Sequence, residues 1–192
     1  VGQGIVAVDG IGRVFGSAMW FPHGSDFATV GLVITTPRAQ AHGAGRWLME
    51  QVKQRCEGRN LSLNATKAAY PLYVSLGFET EGTVFMHQGI VSEVPEPSTV
   101  NGAVSDFPAA RIEEICAFDA KAFGTDRSRQ LGLIAEVSVT CVLLRDDKIA
   151  GYAMRHDFGR GLVVGPIVAQ NDQDAISLAA WHLRGLEGKH VR

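Results

Sequence analysis

The sequence predicts a mixed α/β fold, because strand-like and helix-like segments alternate through its first half. The run at 27–35 is rich in β-branched residues and is typical of a strand, whereas the apolar residues of the run at 44–56 recur at helical spacing. Asp9-Gly10 separates two apolar runs and is a strong signal for a hairpin turn. Residues 5–90 therefore follow the order β-β-β-α-β-α-β.

Turn and breaker residues set the limits of these elements. Pro37 ends the third strand, a helix begins near Gly43 and ends before Gly58, and Pro71 interrupts a second helix. In chain order, the predicted elements of the first half are strands at 5–8, 14–20 and 27–35, a helix at 43–57, a strand at 61–65, a helix at 66–76 and a strand at 83–90. The second half is predicted to contain a helix at 109–123, the end of another helix at 132–136, strands at 137–145, 148–155 and 162–169, and a helix at 174–186.

Composition excludes several classes of protein. The 192 residues include 18 basic and 20 acidic side chains, a net charge of −2, so we expect no nucleic-acid binding that relies on an overall positive field. No apolar run approaches the roughly 18 residues that cross a bilayer, so we expect no membrane partner. The three cysteines, Cys56, Cys116 and Cys141, have neither the spacing of a disulfide framework nor that of a metal site. We therefore expect a cytoplasmic protein without a metal.

The two halves of the sequence resemble each other. Residues 14–19 match residues 149–154 at an offset of 135, and residues 30–31 match residues 164–165 at an offset of 134. The segment at 92–100 between the halves is rich in proline, glutamate, serine and threonine, which is typical of a linker. The pattern predicts a duplication of one α/β unit.

The strongest functional signal is the segment Gln40-Ala41-His42-Gly43-Ala44-Gly45-Arg46, which lies between a strand and an amphipathic helix. Backbone N–H groups in the first turn of a helix have no intrahelical partner, and with the positive end of the helix dipole they form a site for a pyrophosphate. The glycines allow close approach of the backbone, and Arg46 adds a charge-assisted contact. Taken alone, the segment is also compatible with a tight strand-to-helix turn.

Two motifs together resemble the GCN5-related N-acetyltransferase (GNAT) superfamily. Gln40-x-x-Gly43-x-Gly45 fits its acyl-CoA motif, which is Gln/Arg-x-x-Gly-x-Gly/Ala after a strand. Pro71-Leu72-Tyr73-Val74-Ser75-Leu76-Gly77-Phe78 resembles the helix and turn that line the thioester end of the CoA channel in that family. The resemblance covers residues 5–89. It implies a GNAT fold, a mixed and mostly antiparallel central sheet flanked by helices, with a second partial GNAT-like repeat in the other half.

The resemblance also implies which residues bind the co-substrate acetyl-CoA. The loop at 40–46 holds the pyrophosphate, the strand edge at 33–35 pairs with the pantetheine amides, and Tyr73 protonates the departing thiolate as the catalytic general acid. A packing role against the CoA arm is the alternative for Tyr73. Thr66 stands where many GNAT proteins have an asparagine. The full set of expected acetyl-CoA-binding residues is Val33, Ile34, Thr35, Gln40, Ala41, His42, Gly43, Ala44, Gly45, Arg46, Thr66, Ala69, Leu72 and Tyr73.

The sequence does not assign a general base. An alkyl amine with a pKa near ~10.4 is protonated at neutral pH and must lose a proton before it attacks. GNAT proteins often use a carboxylate on the strand before the CoA loop, but the strand at 27–35 contains no acid. Asp26 and His23 lie nearby in the sequence, and we interpret each as a surface loop residue rather than as the base.

The second copy lacks the CoA-binding signature. At the offset of 134, Asp174, Ser177 and Ala179 stand in place of the glutamine and the two glycines of the motif. An acidic group that faces a pyrophosphate is repulsive, so we predict a degenerate copy. The predicted domains are a GNAT domain at 1–91, without the first strand and helices of that fold, and a truncated GNAT-like domain at 101–192.

The predicted function is acetyl-CoA-dependent N-acyl transfer, in which an acetyl group passes directly to an amine in a ternary complex. The expected acceptor is the amine of a small molecule or of a protein. The missing carboxylate on the third strand keeps open a second interpretation, a non-catalytic acyl-CoA-binding or sensing module. A duplicated α/β domain that binds no nucleotide is the third interpretation. The edges of an incomplete sheet would also allow a homodimer.

Overall fold

The computed structural model describes residues 2–40, 42–94 and 101–192. Within them the chain divides into a first unit, Val1–Val84, and a second unit, Phe85–Arg192. Each unit has its own sheet and its own buried apolar core.

The described part of the first unit contains four strands and two α-helices: β1 (Gln3–Val8), β2 (Val14–His23), β3 (Phe27–Thr35), α1 (Ala44–Arg55), β4 (Asn60–Leu63) and α2 (Tyr70–Ser75). Its sheet has the order β1-β2-β3-β4. The first three strands pair antiparallel, and β4 joins β3 in parallel. This mixed, mostly antiparallel sheet confirms the predicted fold class.

Helix α1 covers one face of this sheet, because its apolar side chains lie on one side of the helix. Leu48 and Val52 are fully buried and belong to the same core as Ala18 of β2. Small residues on the strands let the helix approach closely: a Cβ at Gly16 would lie 3.0 Å from the Leu48 side chain. Larger residues at these strand positions would separate the helix from the sheet.

Strands β3 and β4 separate part-way along β3. Their parallel pairing ends at Val30 and Leu63, whereas β3 continues to Thr35. A β-bulge near the same point shifts the register of β3 against β2, and Leu32 there has a φ of 52°. A cleft therefore opens beside residues 31–35 of β3.

The described part of the second unit contains six strands and three α-helices: β5 (Gly89–Ile90), β6 (Ala103–Asp106), α3 (Ile112–Phe123), α4 (Ser128–Ala135), β7 (Val139–Arg145), β8 (Lys148–Phe158), β9 (Gly161–Ala169), α5 (Asp172–Leu183) and β10 (His190–Val191). Its sheet has the order β5-β10-β9-β8-β7-β6. Helices α3 and α4 pack with one face of the sheet, and α5 packs with the other.

Strand β8 lies at the centre of the second unit and is buried on both faces. Tyr152 and Met154 pack with α3 and α4, whereas Ala153 between them packs with Leu178 of α5. All four side chains are inaccessible to solvent. Burial on both faces explains why residues 149–154 of this strand are continuously apolar instead of alternating.

The two sheets share one irregularity, which supports the predicted duplication. In the first unit the register shifts between Ser17 and Met19 of β2, and in the second it shifts between Ala153 and Arg155 of β8. At the sequence offset of 135 these positions coincide to within one residue. A bulge at the same place in both units indicates a common strand pattern.

Two predicted elements differ most from the structure in their extent. Of the strand predicted at 83–90 only β5 pairs in a sheet, because its partner β10 is itself two residues long. The helix predicted at 66–76 begins at Tyr70, since Pro71 fits the first turn of a helix and starts it instead of interrupting it. The linker predicted at 92–100 lies largely outside the described residues.

Candidate active site

The predicted phosphate loop joins β3 to α1 in the first unit. After Thr35 the chain makes a 3-10 turn over Pro37–Ala39, and Gly43 then forms the N-cap of α1 with a φ of 81°. This left-handed conformation favours glycine. Among the described residues no side chain caps the first turn of α1, so its N–H groups are open to solvent or to a ligand.

Gly45 allows α1 to pack closely against two neighbouring elements. A Cβ at this position would lie 3.2 Å from Cδ2 of Leu72 in α2 and 3.9 Å from Cγ2 of Thr35 in β3. A Cβ at Gly43 would instead meet no described atom within 4 Å. The second glycine of the motif therefore allows close packing, and the first suits the left-handed backbone conformation.

Local contacts hold the polar side chains of the loop. Gln40 donates from Nε2 to the Thr35 carbonyl at 3.5 Å, and Nδ1 of His42 lies 2.7 Å from the Gln40 carbonyl. Both side chains are exposed. Ala44 is the first residue of α1, whereas Ala41 lies outside the described residues.

Arg46 is held at the start of α1 by contacts with neighbouring polar groups. Its Nη2 donates to Oγ of Ser75 in α2 at 2.7 Å, and its Nη1 lies 3.9 Å from Oε1 of Glu50. Both partners of the ion pair are about half exposed, so the pair adds little stability. The remaining N–H groups of the guanidinium are available to an anion.

A cavity of about 160 Å³ opens where β3 and β4 separate. Tyr73 of α2 reaches this cavity and is only 7% exposed. Its ring packs edge-on against Phe78, with 5.9 Å between the ring centroids. Burial raises the pKa of the Tyr73 phenol, which therefore keeps its proton at neutral pH. The lining residues are Val30, Gly31, Leu32, Val33, Leu63, Asn64, Thr66, Ala69 and Tyr73.

The structure brings four of the predicted acetyl-CoA-binding residues together at this cavity, namely Val33, Thr66, Ala69 and Tyr73. Ile34 follows Val33 on β3, points to the opposite face of the sheet and is 57% exposed. Leu72 packs near Gly45 instead of lining the cavity. The other predicted residues lie in the loop at 40–46 and at Thr35.

Sequence reasoning missed five residues that line the cavity, namely Val30, Gly31, Leu32, Leu63 and Asn64. They meet there because β4 pairs in parallel with β3, and a parallel register leaves no local signal in the sequence. Asn64 directly follows the last paired residue of β4. A polar residue immediately after an apolar strand is the one feature that could have indicated it.

Thr66 has a structural role in addition to its place at the cavity. Its Oγ1 accepts a hydrogen bond from the N–H of Ala69 at 3.3 Å, and its carbonyl accepts from the N–H groups of Ala69 and Tyr70, each at 3.0 Å. These contacts form the turn that precedes α2. The hydroxyl is thus partly engaged within the protein.

Neither candidate for the general base lies at the cavity. His23 is 5% exposed, so its interpretation as a surface loop residue is wrong. Strand β2 continues past its predicted end at Trp20 and carries His23 into the sheet, where Nε2 lies 3.0 Å from Oγ1 of Thr29. Asp26 is exposed in the turn before β3, as predicted. Among the described residues that line the cavity, none carries a carboxylate.

The equivalent helix start in the second unit is closed by its own side chains. Helix α5 begins at Asp172, and the side chain of its N-cap, Asn171, accepts from the N–H of Asp174 at 3.0 Å. The Asp174 carboxylate is buried and lies 3.0 Å from Nη2 of Arg145. The residue that aligns with the glutamine of the first loop is thus a buried ion-pair partner, and those that align with its glycines lie inside the helix.

The three cysteines are free thiols, and burial raises the pKa of each, that of Cys141 to about 12. Thiols of raised pKa are poor nucleophiles at neutral pH. Across residues 2–40, 42–94 and 101–192, no group of three or more His, Cys, Asp or Glu side chains is arranged to hold a metal ion. In the same ranges no helix combines the length and the apolar character that a membrane crossing requires.

Comparison with known protein families finds the same kind of domain in both halves of the chain. A profile described as an acetyltransferase (GNAT) domain matches residues 3–92, and a second profile with the same description matches residues 115–192. The chain belongs to the GNAT acetyltransferase family. Its two GNAT matches confirm the tandem arrangement that the internal repeat predicted.

One sequence relative supports the same family, and a solved structure shares the fold. YitH of Bacillus subtilis, an uncharacterized N-acetyltransferase, is 29% identical over 163 residues, which are 83% of this GNAT chain and 57% of YitH. A crystal structure from Pyrococcus horikoshii, of a protein classed as an acetyltransferase, has a TM-score of 0.65 at 21% identity and covers 92% of this chain and 59% of that one. The chain thus spans little more than half the length of these two relatives.

A tandem GNAT structure also shares the fold. It is a tandem GNAT protein from the clavulanic acid biosynthesis pathway, determined without AcCoA, with a TM-score of 0.56 at 14% identity. The match covers 100% of this chain and 73% of that protein. At this level of identity the likeness concerns the fold.

Proposed function

We propose that this GNAT protein is an acetyl-CoA-dependent N-acyltransferase that transfers an acetyl group directly to the amine of a small molecule or of a protein. The position of Tyr73 at the cleft between β3 and β4, in the same unit as the open start of α1, carries the proposal. Contacts between α1 and α2 link these two features, since Gly45 packs near Leu72 and Arg46 donates to Ser75.

Three features of the first unit fit acetyl-CoA. The N–H groups at the start of α1, together with Arg46, suit a pyrophosphate. Residues 31–35 of β3 extend beyond the end of β4 and offer backbone groups to the amides of a pantetheine arm. Tyr73 lines the cavity between the two strands, which supports the proposal that the thioester binds there.

Tyr73 supplies the proton that the departing sulfur requires. In the proposed step the amine nitrogen bonds to the acetyl carbonyl carbon, the C–S bond breaks, and the Tyr73 hydroxyl gives its proton to the sulfur. The proton lost by the amine passes to water, and the phenolate regains one from water. Transfer from a phenol of pKa ~10 to a thiolate of pKa ~8.5 is uphill by about 2 kcal/mol, and the burial of Tyr73 adds to this.

The Tyr73→Phe variant should lower kcat by about 10²–10⁴-fold, the usual contribution of a general acid, with little change in acetyl-CoA affinity. The ring and its contact with Phe78 remain, so only the proton donor is removed. Steady-state kinetics and calorimetry measure the two effects separately. Tyr70→Phe is the matched control, because the Tyr70 hydroxyl contacts Oγ1 of Thr80 at 3.0 Å and does not line the cavity. An unchanged kcat for Tyr73→Phe would leave Tyr73 a packing role only.

One observation favours the second candidate function, a non-catalytic acyl-CoA-binding module. None of the described cavity-lining residues carries a carboxylate that could take the proton of the amine. Acetyl-CoA binding by the parent protein without turnover on a broad panel of amines would support this candidate over the transferase.

We also expect about one acetyl-CoA molecule per chain, because the described turn before α1 has no side-chain cap whereas the equivalent turn before α5 in the second unit is capped. In the second unit Asn171 caps the helix and the buried Asp174 carboxylate is repulsive to phosphate. The stoichiometry of a calorimetric titration measures this directly. Two equivalent sites per chain would contradict the proposed degeneracy of the second copy.

A further inference from the structure

A second cavity, of about 330 Å³, lies in the second unit where the β8–β9 hairpin adjoins β10. Its lining includes the charged or polar side chains of Arg160, His190, Arg192 and Gln88, and the ring of Phe158. All of these residues belong to the second unit. The acetyl-CoA site proposed above is built from residues of the first unit and includes none of these cavity residues.

The side chains that line the cavity are basic or neutral. Two guanidinium groups, those of Arg160 and Arg192, line it together with the imidazole of His190, whereas none of the described lining residues has a carboxylate side chain. The ion pairs found among the described residues involve other arginines. Like charges at one cavity repel each other unless an anion neutralises them.

The walls of the cavity are held in place before any ligand binds. The N–H of Arg192 donates to the Leu162 carbonyl at 2.9 Å, which fixes the backbone in the ladder beside β9. The Arg192 guanidinium lies 5.2 Å from the centroid of the Phe158 ring, a cation–π contact that orients the charge. A Cβ on Gly161 would clash with the His190 carbonyl, so the two strands approach this closely because residue 161 is glycine.

We propose that this cavity binds the phosphate group of a small phosphorylated molecule. A guanidinium forms paired, parallel hydrogen bonds with phosphate oxygens, and two of them with an imidazole match a dianion better than a monocarboxylate. The volume lies at the lower end of the range of about 300–1,000 Å³ for small-molecule sites. The ring of Phe158 is 52% exposed and offers an apolar surface to the remainder of the molecule.

Titration with inorganic phosphate at constant ionic strength, followed by NMR chemical shifts, is the test. We expect saturable shifts at residues 158–162 and 190–192, with a dissociation constant at or below about 10 mM. The open start of α1 also suits an anion, and shifts at residues 42–46 would report that site separately. In the Gly43→Asp variant the shifts at the hairpin should therefore persist.

Arg160→Ala should weaken phosphate binding at the hairpin by about tenfold or more, because one charge-assisted pair of hydrogen bonds is lost. Arg160 is exposed at the hairpin tip, so this change should leave the fold intact. Arg129→Ala is the matched control, since it removes the same charge from an exposed position of α4. The proposed phosphate site would be overturned if Arg160→Ala and Arg129→Ala weakened phosphate binding equally. It would also be overturned if the parent protein showed no saturable shifts at the hairpin. Acetate binding there as tightly as phosphate would overturn the ligand class.

Discussion

The Gly43→Asp variant is expected to bind acetyl-CoA at least about a hundredfold more weakly than the parent while it keeps its fold. The new carboxylate would stand at the N-terminal end of α1, where the proposed pyrophosphate site lies, and two like charges about 4 Å apart repel by several kcal/mol near a protein surface. The protein itself has room for the side chain, because a Cβ at Gly43 meets no described atom within 4 Å. Calorimetry measures the affinity, and circular dichroism checks the fold.

Gly43→Asn separates charge from backbone strain in this experiment. Asparagine has nearly the shape of aspartate, and both residues tolerate the left-handed φ of 81° better than most side chains do. We expect the asparagine variant to retain much of the affinity. Normal acetyl-CoA affinity in Gly43→Asp would show that the loop does not hold the pyrophosphate. An equal loss of affinity in Gly43→Asp and Gly43→Asn would show that the shape of the new side chain, and not its charge, weakens binding.

The largest loss of stability is expected from Asp119→Ala in the second unit. The buried Asp119 carboxylate accepts from Nε and Nη2 of Arg127, each at 2.7 Å, and from the hydroxyl of Tyr152. Burial, and then the hydrogen bond to Asp119, raise the pKa of Tyr152 well above its usual range, so its hydroxyl remains a donor. The Asp119→Ala variant would leave the mostly buried guanidinium of Arg127 without this carboxylate. Because an uncompensated buried charge is costly, the free energy of unfolding should fall by about 3–5 kcal/mol.

Glu114→Ala in the same helix is the matched control for Asp119→Ala. Glu114 also accepts two hydrogen bonds from one arginine, Arg111, at 2.6 and 2.8 Å, but both partners are about half exposed. An exposed pair of this kind contributes at most about 1 kcal/mol. Urea unfolding followed by circular dichroism compares the two variants. A smaller loss for Asp119→Ala than for Glu114→Ala would contradict the role of burial.

Local patterns were enough to predict much of the first unit. The Asp9-Gly10 turn, the β-branched run of β3 and the helical spacing of α1 each depend on residues close together in the chain, and the structure has all three elements. The 40–46 loop was found in the same way, because a strand, a glycine turn and a helix start are consecutive. The strand predicted at 83–90 shows the limit of such patterns, since its apolar residues are matched by no partner of equal length.

The sequence by itself determined the α/β class, the duplication and the glycine turn before α1, because each has a periodicity or a motif spacing that a linear chain displays. It also singled out Tyr73 through the resemblance of residues 71–78 to a family motif. Only the tertiary structure decided that β4 leaves β3 after Val30, which makes the cavity and brings Asn64 to its wall. It also decided that Asn171 caps the helix of the second copy and that Asp174 is there a buried partner of Arg145. These features depend on pairing between residues distant in the chain. Such pairing is selected by the packing of the whole unit and has no counterpart in local spacing.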